Sequence, residues 1–237
     1  MSPELRPVPV ELLRGHSTEV APRLLNLVLA SADGTAGRIV EVEAYAGVED
    51  PASHARMGET RRNATMFRRA GLGYVYFTYG MHWCVNVVTG EDGSGQAVLL
   101  RALEPLTGIE RMRERRAAAR RDLDLTNGPA KLCEALGVKG DLDGVDLLDP
   151  SSPLRLLTDG TPPPDAPGNS TRIGITAAAE RPWRWFVEGN PWVSKHPGPR
   201  PARPARRPSG SARRPSGSAR RSSGSVMRDA TDPSHPA

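Results

Sequence analysis

Gly73-Tyr-Val-Tyr-Phe-Thr-Tyr79, then Gly80, then Met81-His-Trp-Cys-Val-Asn-Val-Val88 is the stretch that decides the fold class. β-Branched and aromatic residues fill both arms and a glycine stands between them, which predicts two strands joined at a tight turn. Upstream, Gly37-Arg-Ile-Val-Glu-Val-Glu-Ala-Tyr45 alternates branched apolar residues with polar ones, as a strand with one buried face does. Downstream, Gln96 to Leu103 reads as another strand. Helical patterns flank this cluster. Val20-Ala-Pro-Arg-Leu-Leu-Asn-Leu-Val-Leu29 reads as a helix running into a strand. Thr107-Gly-Ile-Glu110 has the form of a capping box opening a helix that runs to about Arg121. Asn127 to Gly137 predicts a second helix, starting near Asn127 or Gly128 and stopped by Gly137. Arg172 to Ile175 and Trp185 to Val187 read as short late strands. Strands gathered together, with helices between the clusters, predict an α+β fold on a largely antiparallel sheet.

The chain has 237 residues, enough for one domain with length to spare. Hydrophobic residues make up 38%, low for a compact globule, so part of the chain is expected outside the core. That part is the C-terminal end. Ala205-Arg-Arg-Pro-Ser-Gly-Ser211 recurs at Ala212 to Ser218, and again at Ala219 to Ser225 with one Pro-to-Ser change. A seven-residue repeat without apolar positions is not a coiled coil, and it cannot bury enough surface to offset its ordering entropy. Residues 8–195 are therefore expected to form the folded domain and residues 196–237 a disordered Arg/Pro/Ser/Gly-rich tail. The tail reads either as a basic arm that grips phosphates without sequence preference or as a dispensable extension.

The formal charge is +5 and the isoelectric point about 9.7, which points to a polyanionic partner. From His196 onward, nine arginines face two aspartates, a net +7 that leaves the rest at −2. A nucleic-acid surface on the folded part must then be a local patch. No stretch is long and apolar enough to span a bilayer, and Met1 to Val10 has no apolar signal core, so a cytoplasmic protein without membrane contact is expected. Cys84 and Cys133, the only cysteines, sit in apolar runs with no Cys-x-x-Cys pair or Cys/His cluster, which predicts buried reduced thiols and neither disulfide nor zinc site.

Four tyrosines, Tyr45, Tyr74, Tyr76 and Tyr79, fall within 35 residues that also hold His54. Aromatic faces stack nucleobases and their polar rims can bond base edges, although any one strand aromatic can equally be core, Tyr74 above all. Tyr79 precedes Gly80 at the expected hairpin tip, where an exposed bulky side chain could enter a duplex and fill the gap left by an extruded base. Glu41 and Glu43 share one face of their strand. An isolated acid on a strand is ordinarily solvated, but Glu43, beside Ala44 and Tyr45, could border the aromatic pocket, activate water and stabilise an oxocarbenium-like sugar. Arg101 is the candidate cationic partner. Arginines cluster at Arg56, Arg61, Arg62, Arg68 and Arg69, and again at Arg111, Arg113, Arg115, Arg116, Arg120 and Arg121. Either cluster could bind phosphates; the second could equally be a solvated helix face.

These pieces occur in a specific order. Gly37 to Tyr45 is followed by Glu49-Asp50 with His54, Arg62-Asn63 with Met66-Phe67, and Tyr74-Val-Tyr76 with Tyr79-Gly80-Met81. Cys84, Asn86, Leu99-Leu-Arg-Ala-Leu-Glu-Pro105, Asn127-Gly-Pro129 with Lys131-Leu-Cys133, and Gly189-Asn-Pro-Trp-Val-Ser194 complete the series. Over most of residues 20 to 194 the chain resembles the 3-methyladenine (alkyladenine, methylpurine) DNA glycosylases of the type without a helix-hairpin-helix. The resemblance implies a single compact α+β domain whose curved, largely antiparallel sheet is flanked by helices. It implies excision of damaged purines from double-stranded DNA: 3-methyladenine-type lesions, and often hypoxanthine or ethenoadenine. By position, Glu43 matches the general base and Arg101 the arginine that helps hold the water and a phosphate. Tyr45, His54 and Tyr76 match the stacking pocket, Asn86 the side chain that crowds guanine's amino group, and Tyr79 the intercalating wedge. Arg61, Arg62 and Met81 are the candidates for backbone contacts. A monomer is expected, bacterial-like, and nucleoid-associated if it is bacterial. One departure stands out: Asn26 occupies a place where the resemblance calls for glycine, which puts the turn there in question.

The residues agree with a monofunctional enzyme that needs no metal or cofactor. A lyase mechanism requires an amine nucleophile for a Schiff base, and no lysine occurs before Lys131, which leaves the N-terminal amine as the alternative. Two other classes compete: a damage-binding protein that kept the pocket but lost turnover, and a generic nucleic-acid binder driven by its arginine tail. Retention of Glu43 and Arg101 together speaks against the first.

Overall fold

The computed structural model describes residues 4–195. The expected tail, residues 196–237, lies outside the described residues. In chain order the elements are β1 (Arg6–Pro7), α1 (Ser17–Arg23), β2 (Val28–Ser31), β3 (Ala36–Ala46), β4 (Gly73–Thr78), β5 (His82–Thr89) and β6 (Gln96–Thr107). They continue with α2 (Ile109–Arg115), α3 (Pro129–Leu136), β7 (Leu154–Thr158), β8 (Gly168–Ser170) and β9 (Arg184–Phe186). The strands pair antiparallel in one sheet of order β1-β7-β2-β3-β6-β5-β4, and β9 joins β3 to β8. The fold is α+β, as the sequence predicts.

β3 is the centre of this sheet. β6 runs along one side of it, while β2 pairs with its first half and β9 with Glu41 to Glu43 on the other. Side chains on both its faces are buried rather than on one alone, and its polar residues Glu41 and Glu43 are fully buried. The face carrying Val42, Ala44, Val85, Val87, Val98 and Leu100 joins α1 and α3 in the main core through Val20, Ala21, Leu132 and Leu136. The helices thus cover one face of the sheet and leave the opposite face for a smaller cluster of Ala55, Met66, Phe67, Tyr74, Val88 and Ala97. Among the described residues no helix is long and apolar enough to cross a membrane. Cys84 and Cys133 are buried free thiols.

Three boundaries differ from the sequence reading. Thr107 is the last residue of β6, paired with Ala36, and its hydroxyl donates to the Gly34 carbonyl at 2.9 Å instead of capping α2. Gly108 fills the cap with φ +71°, where a Cβ would lie 2.8 Å from the Thr35 Cα. Long-range strand pairing here overrides a local capping signature. Next, α2 ends at Arg115, because Met112 is its one buried anchor and the following Ala/Arg run brings no apolar stripe to hold a longer helix. Finally, Arg172 to Ile175 is a loop; the late strands are β8 and β9. Asn26, by contrast, preserves its turn. Its φ is +69°, a conformation that glycine adopts freely and asparagine tolerates, and its amide donates to the Pro162 carbonyl at 2.7 Å.

Candidate active site

Strand register explains why the chemistry gathers on the sheet face opposite the main core. Side chains directly opposite in a pair share a face. Tyr45 faces Ala97, Glu43 faces Leu99, Leu99 faces Asn86, Asn86 faces Tyr74, and Tyr76 faces Cys84. All of these therefore project to one side. Arg101 joins them through a bulge: Glu41 pairs with Ala102 and Val42 with Leu100, leaving Arg101 as the extra residue on β6. Two positions from Leu99, it points to the Glu43 side.

The result is a cavity of about 350 Å³ lined by Tyr45, His54, Tyr74, Tyr76, Tyr79 and Asn86, with Leu99 and Arg101 deeper and Ile173 to Ile175 along one wall. Tyr74 and Tyr76 stack at 5.5 Å between ring centres, and His54 stands edge-on to Tyr76 at 4.5 Å. The His54 Nδ1 lies 3.0 Å from the Tyr74 hydroxyl. Burial, reinforced by Arg62, holds the His54 pKa below its ordinary value, which favours a neutral ring. Burial also pushes the Tyr74 phenol up to about 12, and that of Tyr45 well above its ordinary range. The phenols are therefore hydrogen-bonding groups rather than anions at neutral pH. The Asn86 amide nitrogen donates to the Tyr74 carbonyl at 3.0 Å, fixing the side chain across the β4–β5 pair.

Glu43 sits behind this wall, fully buried, rather than on its surface. Its Oε1 accepts the Ile173 N–H at 2.7 Å and lies 3.2 Å from Arg101 Nη1. Its Oε2 accepts the Tyr45 hydroxyl at 3.0 Å. A carboxylate offers about four lone-pair sites, so Oε2 keeps capacity for one more donor. Arg101 in turn donates through Nε to Glu41 Oε1 at 3.1 Å. Burial pulls this guanidinium toward neutrality, but Glu43 and Glu41 outweigh it and raise its pKa. Glu41 takes four donors: Arg101, Arg184 Nε at 2.6 Å and the Ser194 hydroxyl at 2.7 Å on Oε1, and the Ser194 N–H at 2.7 Å on Oε2. It orients Arg101.

Tyr79 is 82% exposed at the hairpin tip, with φ +53°, and Gly80 follows with φ +68°. Met81 beside it is 68% exposed. Arg61 and Arg62 are exposed and outside the cavity, and Arg62 donates to the Phe77 carbonyl at 3.2 Å. Arg68 and Arg69 of the same cluster are paired with Glu59 and Asp146. In the second cluster Arg113, Arg115, Arg116 and Arg121 meet Asp122, Asp33, Glu134 and Asp124, acids from outside α2. That favours the reading of this cluster as a surface laced with local ion pairs. Among the described residues no three His, Cys, Asp or Glu side chains gather as a metal-ligand set.

The sequence places Glu43, Arg101, Tyr45, His54, Tyr76, Asn86 and Tyr79 together; the fold lines one cavity with all of them except Glu43, which lies behind the wall bonded to Tyr45 and Arg101. Sequence reasoning missed the loop Arg172 to Ile175 as a wall, the orienting role of Glu41, and Tyr74 as the partner of His54. Parity already put Glu41 on the Glu43 face; its partners Arg184 and Ser194, 143 and 153 residues away, were what the sequence did not show.

An aromatic cavity backed by a buried carboxylate–guanidinium pair can stack a planar base and hold a water beside it; with the family match that follows, the class is a DNA N-glycosyl hydrolase. The model of the methylpurine-DNA glycosylase family matches residues 11–191, and the chain belongs to that family. A protein of Burkholderia lata named as a 3-methyladenine DNA glycosylase is 57% identical over 178 residues, covering 75% of this chain and 86% of the relative. Relatives given the same name in Methanoculleus marisnigri and Streptomyces avermitilis are 46% and 45% identical. They cover 79% and 85% of this chain, and 98% and 97% of their own.

Proposed function

We propose that the chain releases alkylated purines of the 3-methyladenine type from double-stranded DNA, with hypoxanthine and ethenoadenine as further substrates, after flipping the nucleotide out of the helix. The observation that carries this reading is Glu43 Oε2, which accepts from Tyr45 alone while Arg101 and the Ile173 N–H hold Oε1. A water on Oε2 attacks the anomeric carbon. Glu43 takes its proton, the N-glycosidic bond breaks, and the electron pair leaves with the purine. Arg101 fixes the carboxylate and reaches toward the phosphate of the flipped nucleotide. Tyr45, His54 and Tyr76 stack the base; a cationic lesion stacks on electron-rich rings and is already a good leaving group. Asn86 crowds guanine's exocyclic amino group. Tyr79 fills the vacated stack, and Arg61, Arg62 and Met81 contact the backbone. Residues 8–195 act as a monomeric, monofunctional domain.

The test is incubation with duplexes that each carry one defined lesion, followed by hot alkali to cut at abasic sites. Alkali-dependent cleavage at an alkylated purine is the expected result. No release from any lesion would overturn the proposal, and strand cleavage without alkali would point to a lyase.

A further inference from the structure

Arg172 occupies a position that the proposed chemistry does not use. The side chains of Arg172 and Asp50 are both fully buried and paired in bidentate fashion, with Nη2 to Oδ1 at 2.9 Å and Nη1 to Oδ2. Nη1 also donates to the Ala44 carbonyl at 3.0 Å, on β3 between Glu43 and Tyr45. The guanidinium carbon lies 4.8 Å from the centre of the Tyr45 ring and 5.0 Å from that of Trp183. Asp50 organises the turn that leads to His54, for its Oδ1 accepts the Ala52 N–H at 3.1 Å and its carbonyl accepts the Ser53 N–H at 2.9 Å. The residue after Arg172 is Ile173, whose N–H holds Glu43.

We propose that Arg172, held by Asp50, is a positioning residue that ties three walls of the base cavity together: the Tyr45 ring, the turn carrying His54, and the Ile173 loop on Glu43. This deepens the reading of Glu43 and Tyr45 given above and rests on it. A buried ion pair is a weak device for stability, since an uncharged pair of similar volume is often as stable. A planar fork that bonds a carboxylate bidentately while lying over two aromatic rings is, however, a strong device for orientation, and lysine does not reproduce it.

The test uses the full chain with Arg172→Lys, the double variant Arg172→Met with Asp50→Asn, and Glu43→Gln. Single-turnover excision is measured at saturating enzyme, where the rate constant reports the folded fraction alone, together with thermal unfolding and affinity for undamaged duplex. Misplacing reacting groups by about 1 Å costs up to roughly 100-fold. Both Arg172 variants are therefore expected to lose about 10- to 100-fold in rate constant while binding undamaged duplex as the parent does. The double variant should keep a cooperative unfolding transition near that of the parent. Excision within twofold of the parent by either Arg172 variant overturns the clamp. If Glu43→Gln also excises normally, the site reading itself has failed; if Glu43→Gln is inactive, only the clamp has.

Discussion

His54 meets the two stacked tyrosines in different ways, bonding the Tyr74 hydroxyl and packing edge-on against Tyr76. Its lowered pKa has a consequence for stability. Below pH 6.5, the ordinary value for histidine, the unfolded chain binds a proton that the folded ring resists. The contribution is thus fully present above about pH 6.5 and is lost as pH falls through the lower folded value. His54 is an exposed residue, so the effect is modest. The melting temperature is expected to drop between pH 7 and pH 5, with a shallower drop in His54→Gln; equal slopes would contradict this account of the imidazole. At this scale the clustered tyrosines and the shared face of Glu41 and Glu43 were legible in the strand pattern, whereas the roles of His54, Tyr76 and Asn86 came from the family resemblance. Arg172 was not legible, because its partners Asp50 and Ala44 lie 122 and 128 residues away, and the pairing of a buried charge is decided by topology rather than by neighbours.

Among the elements, the β4–β5 hairpin carries the most specific geometry. A bulky residue with positive φ stores about 1–3 kcal/mol of strain, and Tyr79 keeps that conformation while presenting its ring to solvent. Tyr79→Asn tolerates the same backbone and removes the ring, so the turn should survive. Stacking of one aromatic is worth roughly 1–3 kcal/mol per base. Excision from a well-paired lesion is expected to fall about tenfold or more, and from a mispaired lesion by less, since unpairing already costs less there. Equal losses on the two substrates would mean that Tyr79 does not act as a wedge. The hairpin was readable because both arms and the turn are local. The end of β6 was not: Thr107 to Glu110 satisfies a helix-capping pattern, and only the distant pairing with Ala36 turns Thr107 into a strand residue.

Charge and chemistry are separated along the sequence. The pocket residues expected from the sequence lie between Glu43 and Arg101, with the added wall at Ile173 to Ile175, whereas the nine arginines from His196 onward hold the excess positive charge. Each phosphate contact adds about 0.9 to the slope of log affinity against log salt. Deleting residues 198–237 is expected to flatten that slope and leave the single-turnover rate unchanged; an unaltered slope would make the tail inert toward DNA. The central claim is that a buried carboxylate behind an aromatic cavity performs the hydrolysis. Its most direct measurement is the single-turnover rate of Glu43→Gln on a duplex with one alkylated purine, alongside its affinity for that duplex. The substitution keeps the shape and removes the base, so a loss of about 10²–10⁴-fold in rate with lesion binding retained is the predicted result. Excision within a few-fold of the parent would contradict the account.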